Sequence, residues 1–233
     1  MERQAIEDGQ EILDEGVLSP AERERSLGEL DRVNRVFAGA LPLLRTLLPR
    51  VAGGGPQRLL DLGTGSGRVA AALARAAAGR GALLRIVGLD RQLGHLLLGR
   101  RAGVPQLRVV AGATALPFRD GAFDWAFSTL FFHHFDDAGN RRILAEMRRV
   151  ARRGAAIVDL RRNRLGAWGL RVLLPLLRTG RITRHDGRVS MARAWSLPEV
   201  AALVDGLPVE ELRRRAPFRF SLVVGAGGET PGT

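Results

Sequence analysis

The residues best placed to do chemistry are two aspartates around a glycine turn. In "RLLDLGTGSGRVAAALA", which begins at Arg58, an apolar run reaches Asp61, turns through Gly63, Gly65 and Gly67, and enters an alanine-rich helix. Glycines let the backbone approach a ligand closely, and the helix amides that follow sit at the carboxyl edge of a sheet, so the segment suits a nucleotide-like ligand. Two ligands compete for it. "GSGRVA" from Gly65 satisfies a G-x-G-x-x-A dinucleotide fingerprint, which would put a pyrophosphate on the helix. Asp61 lies beside that position and would repel a pyrophosphate, so it suits a cationic or amino-acid-bearing ligand better. Asp90 ends "RIVGLD", 29 positions after Asp61. A carboxylate there can accept both hydroxyls of a ribose, which serves either ligand.

A second group of candidates follows "FDWAFSTLFF". His133 and His134 stand at the C-terminal end of a strand, where either ring can take a proton from a hydroxyl. Of the two, His134 is slightly favoured as a base, and the competing expectation is that one ring packs and the other lines the wall. "HHFDD" also has metal-like letters. Asp136 and Asp137 are explained more simply as caps on the next helix, no third carboxylate completes an oxygen cage, and no metal is expected. His185 and Asp186 in "TRHDGR" read as loop residues.

Composition narrows the chemistry. The 233 residues contain no cysteine, which excludes disulfides, thiolate zinc sites and cysteine nucleophiles. No lysine occurs either, so all 36 basic residues are arginines, and tyrosine is absent. A P-loop lysine, a Schiff-base lysine and a tyrosine/lysine pair are therefore excluded. The net charge of +12 invites nucleic acid as a partner. The arginines are scattered, however, in pairs at Arg100, Arg141, Arg148, Arg152 and Arg161 and a triplet from Arg213, with few aromatic residues to stack on bases. Nucleic acid is not the expected partner. No apolar stretch approaches the roughly 18 residues of a spanning helix, and the acidic start is unlike a signal peptide, so a cytoplasmic location is expected.

These residues need a scaffold. Short apolar runs at Arg58, Arg85, Leu107, Phe123 and Ala155, separated by helix-length segments, predict a doubly wound parallel α/β sheet. "VEELRRRAP" with "FRFSLVVGA" predicts a terminal antiparallel hairpin. Residues 1–52 read as an N-terminal helical cap, with "AIEDGQEIL" as one helix and a longer helical run opened by Ser19 and Pro20. The main domain spans 53–225. In it Gly154 is expected as the glycine just past the helix that begins near Asp136. Residues 226–233 have the composition of a disordered tail. The segment 161–195 contains "LGAWGLRVLLPLLR", whose leucines, Trp168 and flanking arginines are expected to line an apolar pocket, to rest on a membrane surface, or to pack on the N-terminal helices.

"LLDLGTGSG", "IVGLD", "ATALPFRDGAFDWAFS", "FHHFDD" and "LAEMRRVARRGAAIVDL", in this order, resemble the class I S-adenosylmethionine-dependent methyltransferases, especially the branch acting on quinone precursors and other small molecules. The likeness covers roughly 59–160. It implies a Rossmann-like seven-stranded sheet, mostly parallel, with an antiparallel last strand and a substrate lid at about 161–195 between the fifth and sixth strands. It implies S-adenosylmethionine as cofactor, its methionine part held by Asp61, Gly63, Thr64, Gly65 and Gly67, and its ribose by Asp90 with Arg91 alongside. Gly112, Ala113 and Thr114, with Leu116, would border the adenine, and Ser128 would complete the cofactor side. One departure stands out: Gly112 occupies the place of an aspartate that relatives often carry beside the adenine amino group. The acceptor implied is a hydrophobic hydroxylated small molecule, such as a phenolic polyketide, lipid or quinone precursor, methylated at a hydroxyl. An NAD(P)-dependent oxidoreductase and an RNA or DNA methyltransferase or nucleic-acid binder are the alternatives.

Overall fold

A computed structural model describes residues 3–5, 11–13, 18–52, 55–101 and 107–227. Residues 6–10 of the expected helix "AIEDGQEIL" and most of the tail lie outside these residues; of the remainder, Ala5 and Glu11 have no regular structure and Ile12 and Leu13 form a turn, not a helix. Among the described residues eight α-helices and seven strands follow in the order α1 (Pro20–Val36), α2 (Leu41–Val51), β1 (Gln57–Leu62), α3 (Arg68–Ala78), β2 (Leu84–Asp90), α4 (Leu93–Arg101), β3 (Leu107–Val110), β4 (Phe123–Thr129), α5 (Asp137–Val150), β5 (Ala151–Leu160), α6 (Arg164–Leu176), α7 (Arg181–Arg193), α8 (Leu197–Leu203), β6 (Val209–Arg215) and β7 (Arg219–Gly225).

The strands form one sheet in the order β3-β2-β1-β4-β5-β7-β6. β1 to β5 pair in parallel, while β7 runs antiparallel to both β5 and β6. Strand order reverses beside β1, which puts a crevice at the carboxyl ends of β1 and β4. Side chains alternate between two cores as the strand period of two requires. Leu59 enters a core with α2 and α3 (Leu43, Leu47, Leu73), whereas Leu60 and Leu62 enter the opposite core with α5 and α8 (Ile143, Met147, Val200).

Ser19 caps α1 and Pro20 opens its first turn, as the sequence predicts, and Glu22 completes a capping box. The helical run does not continue to Leu48. It breaks at residues 37–40, where Ala38 and Gly39 turn left-handed at φ of 73° and 50°, giving α1 and α2 separate axes. α1 is thereby free to leave the sheet and cover the crevice.

Two further expectations are corrected. Gly154 does not end a helix: α5 stops at Val150 and β5 begins at once, with Gly154 inside it at φ 143°. A Cβ there would lie 2.4 Å from the Val224 carbonyl oxygen, so close strand approach is what the glycine serves. Gly154→Ala should cost roughly 2 kcal/mol or more in chemical unfolding, since a contact that short adds to an unfavourable backbone angle. His185 and Asp186 are not in a loop but in the middle of α7, because Asp186 is buried and accepts the Ile12 and Leu13 amides at 2.8 and 3.1 Å. Burial raises the Asp186 carboxyl above its usual range, opposed by the hydrogen bond from His185 and those amides.

α6 and α7 form a hairpin between β5 and α8. Gly187 lets them approach, since a Cβ there would meet Leu174 at 3.0 Å. Leu170, Leu174, Met191 and Ala194 make a third core with Val33 of α1 and Phe37 just past its end, so the segment does pack on the N-terminal helices. Glu29 of α1 ties the junction, accepting from Gly180 N and Thr183 Oγ1, each at 2.7 Å.

Candidate functional site

The turn after β1 is built for close approach. Gly63, Gly65 and Gly67 all have positive φ, at 66°, 53° and 74°. Gly63 has a second constraint: a Cβ would fall 2.3 Å from Phe131 Cδ2, so the turn lies flat against the aromatic ring that precedes the histidines. Side chains then lock the turn. Asp61 accepts from Thr64 Oγ1 at 2.6 Å. Asp90 accepts from Gly65 N at 3.0 Å and from Gln92 N at 2.9 Å, linking the tips of β1 and β2. Both carboxylates are nearly buried.

α1 adds a third carboxylate. Asp31 accepts from Ser66 Oγ and pairs with Arg68 Nε at 2.8 Å. Burial raises its carboxyl above the ordinary range despite Arg68.

The histidine segment is pinned just as firmly. The short 3₁₀ turn Phe132–His134 follows Leu130, a non-glycine residue at φ 54°. Asp159, at the end of β5 and fully buried, accepts from the amides of Phe131 and His133 at 3.1 Å each, and from Leu160 N at 2.6 Å. Its other contact is His133 Nδ1 at 2.7 Å. The Nδ1 proton is thereby assigned to the Asp159 side, and His133 presents Nε2 toward Glu11, 3.7 Å away. His134 lies beside it, with ring centroids 4.3 Å apart and Nδ1 4.0 Å from Glu11. Burial pushes the Asp159 carboxyl upward, but His133 and the hydrogen bonds outweigh it and hold the group below its usual value.

The stability consequence has a definite sign. A carboxyl with a folded pKa below its unfolded one contributes in full above the unfolded value, about 3.9. That contribution is lost as pH falls through the folded value. Thermal melts should therefore lose stability in the acid range below about pH 4, and Asp159→Asn should flatten that part of the profile.

A cavity of about 240 Å³ joins these pieces. Gly63, Thr64 and Gly65 form one wall, His133, His134 and Glu11 another, and Leu170, Met191 and Phe218 an apolar side, with Leu27, Leu30 and Val33 of α1, and Phe37 just past its end, above. Arg219 also lines it. Its guanidinium is buried, donates from Nη2 to Asn34 Oδ1 at 2.6 Å, and has no partner at Nε. Burial lowers its pKa to about 10, with Asp159 acting in the opposite direction.

The sequence-derived site residues divide around this cavity. Asp61 and Gly67 flank the lined turn. Asp90, Arg91, Gly112, Ala113 and Thr114 lie along the tips of β2 and β3 and the loop beyond, outside the lining. Ala113 and Leu116 are buried, Thr114 is exposed, and a Cβ on Gly112 would meet nothing within 4 Å. Ser128, in β4, is buried with no partner for its hydroxyl. Trp168 does not line the pocket: it stands 66% exposed on the far side of α6. Glu11, Asp31, Asp159 and Arg219 were not anticipated. Asp159 carried a signal, since "AAIVDL" ends a strand in a carboxylate as β1 and β2 do, whereas Glu11 is over a hundred residues from its partners.

Comparison with known proteins bears on this site. Residues 60–158 match a family described as a methyltransferase domain. The demethylmenaquinone methyltransferase of Thermotoga maritima is 37% identical over 105 residues, covering 45% of this chain and 43% of that protein. Its namesake from Paenarthrobacter aurescens is 33% identical over 152 residues, covering 60% and 56%. The chain thus spans about half the length of these curated relatives. Among solved structures, a SAM dependent methyltransferase from Aquifex aeolicus superposes with a TM-score of 0.60 at 17% identity, covering 89% of this chain and 98% of the other. Magnesium protoporphyrin IX methyltransferase from Synechocystis, solved with bound SAH, gives 0.52 at 12% identity, covering 91% and 89%. At these identities the structures establish the shared fold.

Proposed function

We propose that this chain, which carries a class I S-adenosylmethionine-dependent methyltransferase domain, transfers a methyl group from S-adenosylmethionine to an oxygen-bearing aromatic acceptor, of phenol or quinol type, held in the cavity under α1. The observation that carries this is the meeting, in one cavity, of the glycine turn and His133, whose ring is held from behind by the buried Asp159.

The residues fit the cofactor. A sulfonium nucleoside with an amino group is best received by carboxylates, and Asp61, Asp90 and Asp31 surround the turn, whereas a pyrophosphate would meet three like charges. Gly65 and Gly112 offer backbone with open space before it. Ser128 leaves a buried hydroxyl for a ligand to satisfy. Asp61 and the Gly63–Gly67 turn would hold the methionine part and Asp90 with Arg91 the ribose, while Ala113, Thr114 and Leu116 would border the adenine. When bound, the cofactor supplies an electrophilic methyl on sulfur.

The chain's own task is then to align and deprotonate the acceptor. His133 Nε2 takes the hydroxyl proton, while Asp159 holds the ring by Nδ1 and stabilises the imidazolium that results. Glu11, 3.7 Å from Nε2, adds a second negative charge beside that cation. This choice favours His133 over His134, because Asp159 holds His133 Nδ1 at 2.7 Å, whereas Glu11 stands 4.0 Å from Nδ1 of His134. Arg219 Nε supplies a donor for the acceptor's second oxygen. A phenolate shares its charge between oxygen and ring carbons, so one base serves attack from either atom. Methylation at the hydroxyl is the reading preferred here; the relatives' name favours a quinone-type acceptor. The apolar lining from α1, α6 and α7 excludes water from the reacting pair.

Incubation with methyl-labelled S-adenosylmethionine and a panel of phenols and reduced quinones tests this. Label should enter the organic phase with the reduced, hydroxylated acceptors and not with the oxidised quinones; transfer to neither overturns the proposal. The departure at Gly112 gives a separate check. Since a side chain has room there, Gly112→Asp should tighten S-adenosylhomocysteine roughly five- to tenfold by adding a charge-assisted acceptor for the adenine amino group. Calorimetry showing weaker binding would remove the adenine assignment.

A further inference from the structure

α6 buries one face and leaves another bare. Gly166, Leu170 and Leu174 point into the third core. On the opposite side Leu165, Trp168, Val172 and Leu176 are 71, 66, 52 and 75% exposed. Their spacing of three, four and four residues places them in one stripe along the helix. A soluble surface rarely spends its largest apolar side chains on a continuous stripe of this kind.

The charge around the stripe is as one-sided. Residues 161–193 hold nine arginines and a single acid, Asp186, which is buried. At the C-terminal end of α6, Arg178, Arg181, Arg184 and Arg188 join Arg25 of α1 around a broad, open hollow floored by Thr179 and Gly180. The adjacent carboxylate, Glu29, is buried and committed to Gly180, Thr183 and Arg25. Among the described residues, no ion pair engages the four arginines of this α6–α7 junction. Arg164 and Arg171, both exposed, continue the positive charge along α6.

We propose that α6 and this arginine hollow form a docking surface for a bilayer containing anionic phospholipid. The stripe sits among the outer segments of the acyl chains, with Trp168 at headgroup level, and the arginines engage phosphates. Charge complementarity selects the occupant: a neutral protein groove would use the stripe but leave a hollow of five arginines without counter-charge. The helix lies in the interface and does not span it, because thirteen residues reach about 20 Å, short of the roughly 30 Å hydrocarbon core. No described helix is long and apolar enough to cross a membrane. Leu170, on the inner side of the same helix, lines the cavity, so docking would set the cavity one helix away from a reservoir of hydrophobic acceptor. The docking itself does not rest on methyl transfer and is measured without it.

The chain's three tryptophans give a direct readout, since Trp125 and Trp195 are buried and Trp168 alone is exposed. Full-length protein is titrated with vesicles of about 30 mol% phosphatidylglycerol in phosphatidylcholine, and separately with pure phosphatidylcholine. Sedimentation with the anionic vesicles and a blue shift of tryptophan emission are expected, with binding to pure phosphatidylcholine at least tenfold weaker. Arg181→Gln with Arg188→Gln should weaken anionic-vesicle binding on the order of tenfold or more, and Trp168→Ser with Leu176→Ser by a similar factor. No sedimentation with anionic vesicles, or sedimentation unchanged by both double variants, overturns the proposal. So does a lipid-free dimer in analytical ultracentrifugation that the Trp168→Ser/Leu176→Ser variant dissociates, which would assign the stripe to a second copy. Should a variant melt early, the emission shift of the unaltered protein decides: a shift supports docking, and its absence at saturating vesicle overturns it.

Discussion

Replacing His133 by alanine should lower methyl transfer about 10²- to 10⁴-fold at saturating acceptor, with S-adenosylhomocysteine affinity unchanged within about twofold. The split follows from where the ring sits. His133 lines the cavity between Asp159 and Glu11, while Gly63 of the turn that would hold the nucleoside packs against the ring of Phe131, two residues before it. His134→Ala should cost less than about tenfold, because Glu11 stands 4.0 Å from its Nδ1, whereas Asp159 holds His133 Nδ1 at 2.7 Å. Single-turnover measurement of both variants separates the two histidines. The reverse ranking would return the base to His134, and losses below about threefold in both would leave alignment as the whole of catalysis. An acceptor already ionised at the assay pH should lessen the loss in His133→Ala, which distinguishes proton removal from a structural fault.

Asp159→Ala should be the most damaging single change to stability, at about 3–5 kcal/mol, or on the order of 10 °C in Tm. Four groups lose their acceptor together: the amides of Phe131, His133 and Leu160, and His133 Nδ1. The buried Arg219 guanidinium loses its compensating charge as well. Asp159→Asn keeps an acceptor oxygen and should recover much of the stability while failing to hold the His133 tautomer, so its turnover should stay low. Asp159 is a positioning residue in this scheme. Its signature is a pH–rate profile whose alkaline plateau no longer corresponds to one oriented base. Equal loss of stability in the alanine and asparagine variants would contradict the argument from the lost hydrogen-bond acceptor.

The lower half of the site was legible because it is made of local signals. Gly63, Gly65 and Gly67 sit where only a left-handed backbone closes the turn, and Asp61 and Asp90 end apolar runs, so chain spacing alone placed them at the carboxyl edge. The Ser19 cap and the terminal hairpin were equally local. What was missed is long-range. Asp31 and Asn34 lie on the same face of α1 as Leu27, Leu30 and Val33, and a polar pair amid an apolar helix face means nothing until the sheet edge it covers is known. The break of that helical run at Ala38 also had no strong signal, since glycine at 39 is tolerated inside helices. Asp186 and His185 looked like loop residues because Gly180 and Gly187 lower helix propensity; burial of Asp186 against the Ile12 and Leu13 amides overrides it. Gly154 was misassigned because a glycine after an arginine-rich helix end is a common stop, and the demand for close approach to Val224 comes from a strand seventy residues later.

Isothermal titration of the full chain with S-adenosylmethionine, beside NADP, tests the central claim most directly. A single site per chain for the sulfonium nucleoside, weakened at least tenfold in Asp90→Ala and matched by no heat with NADP, is the expected result. Heat with NADP and none with S-adenosylmethionine or S-adenosylhomocysteine would contradict it, returning the glycine turn to a dinucleotide and leaving His133 without a methyl donor to serve.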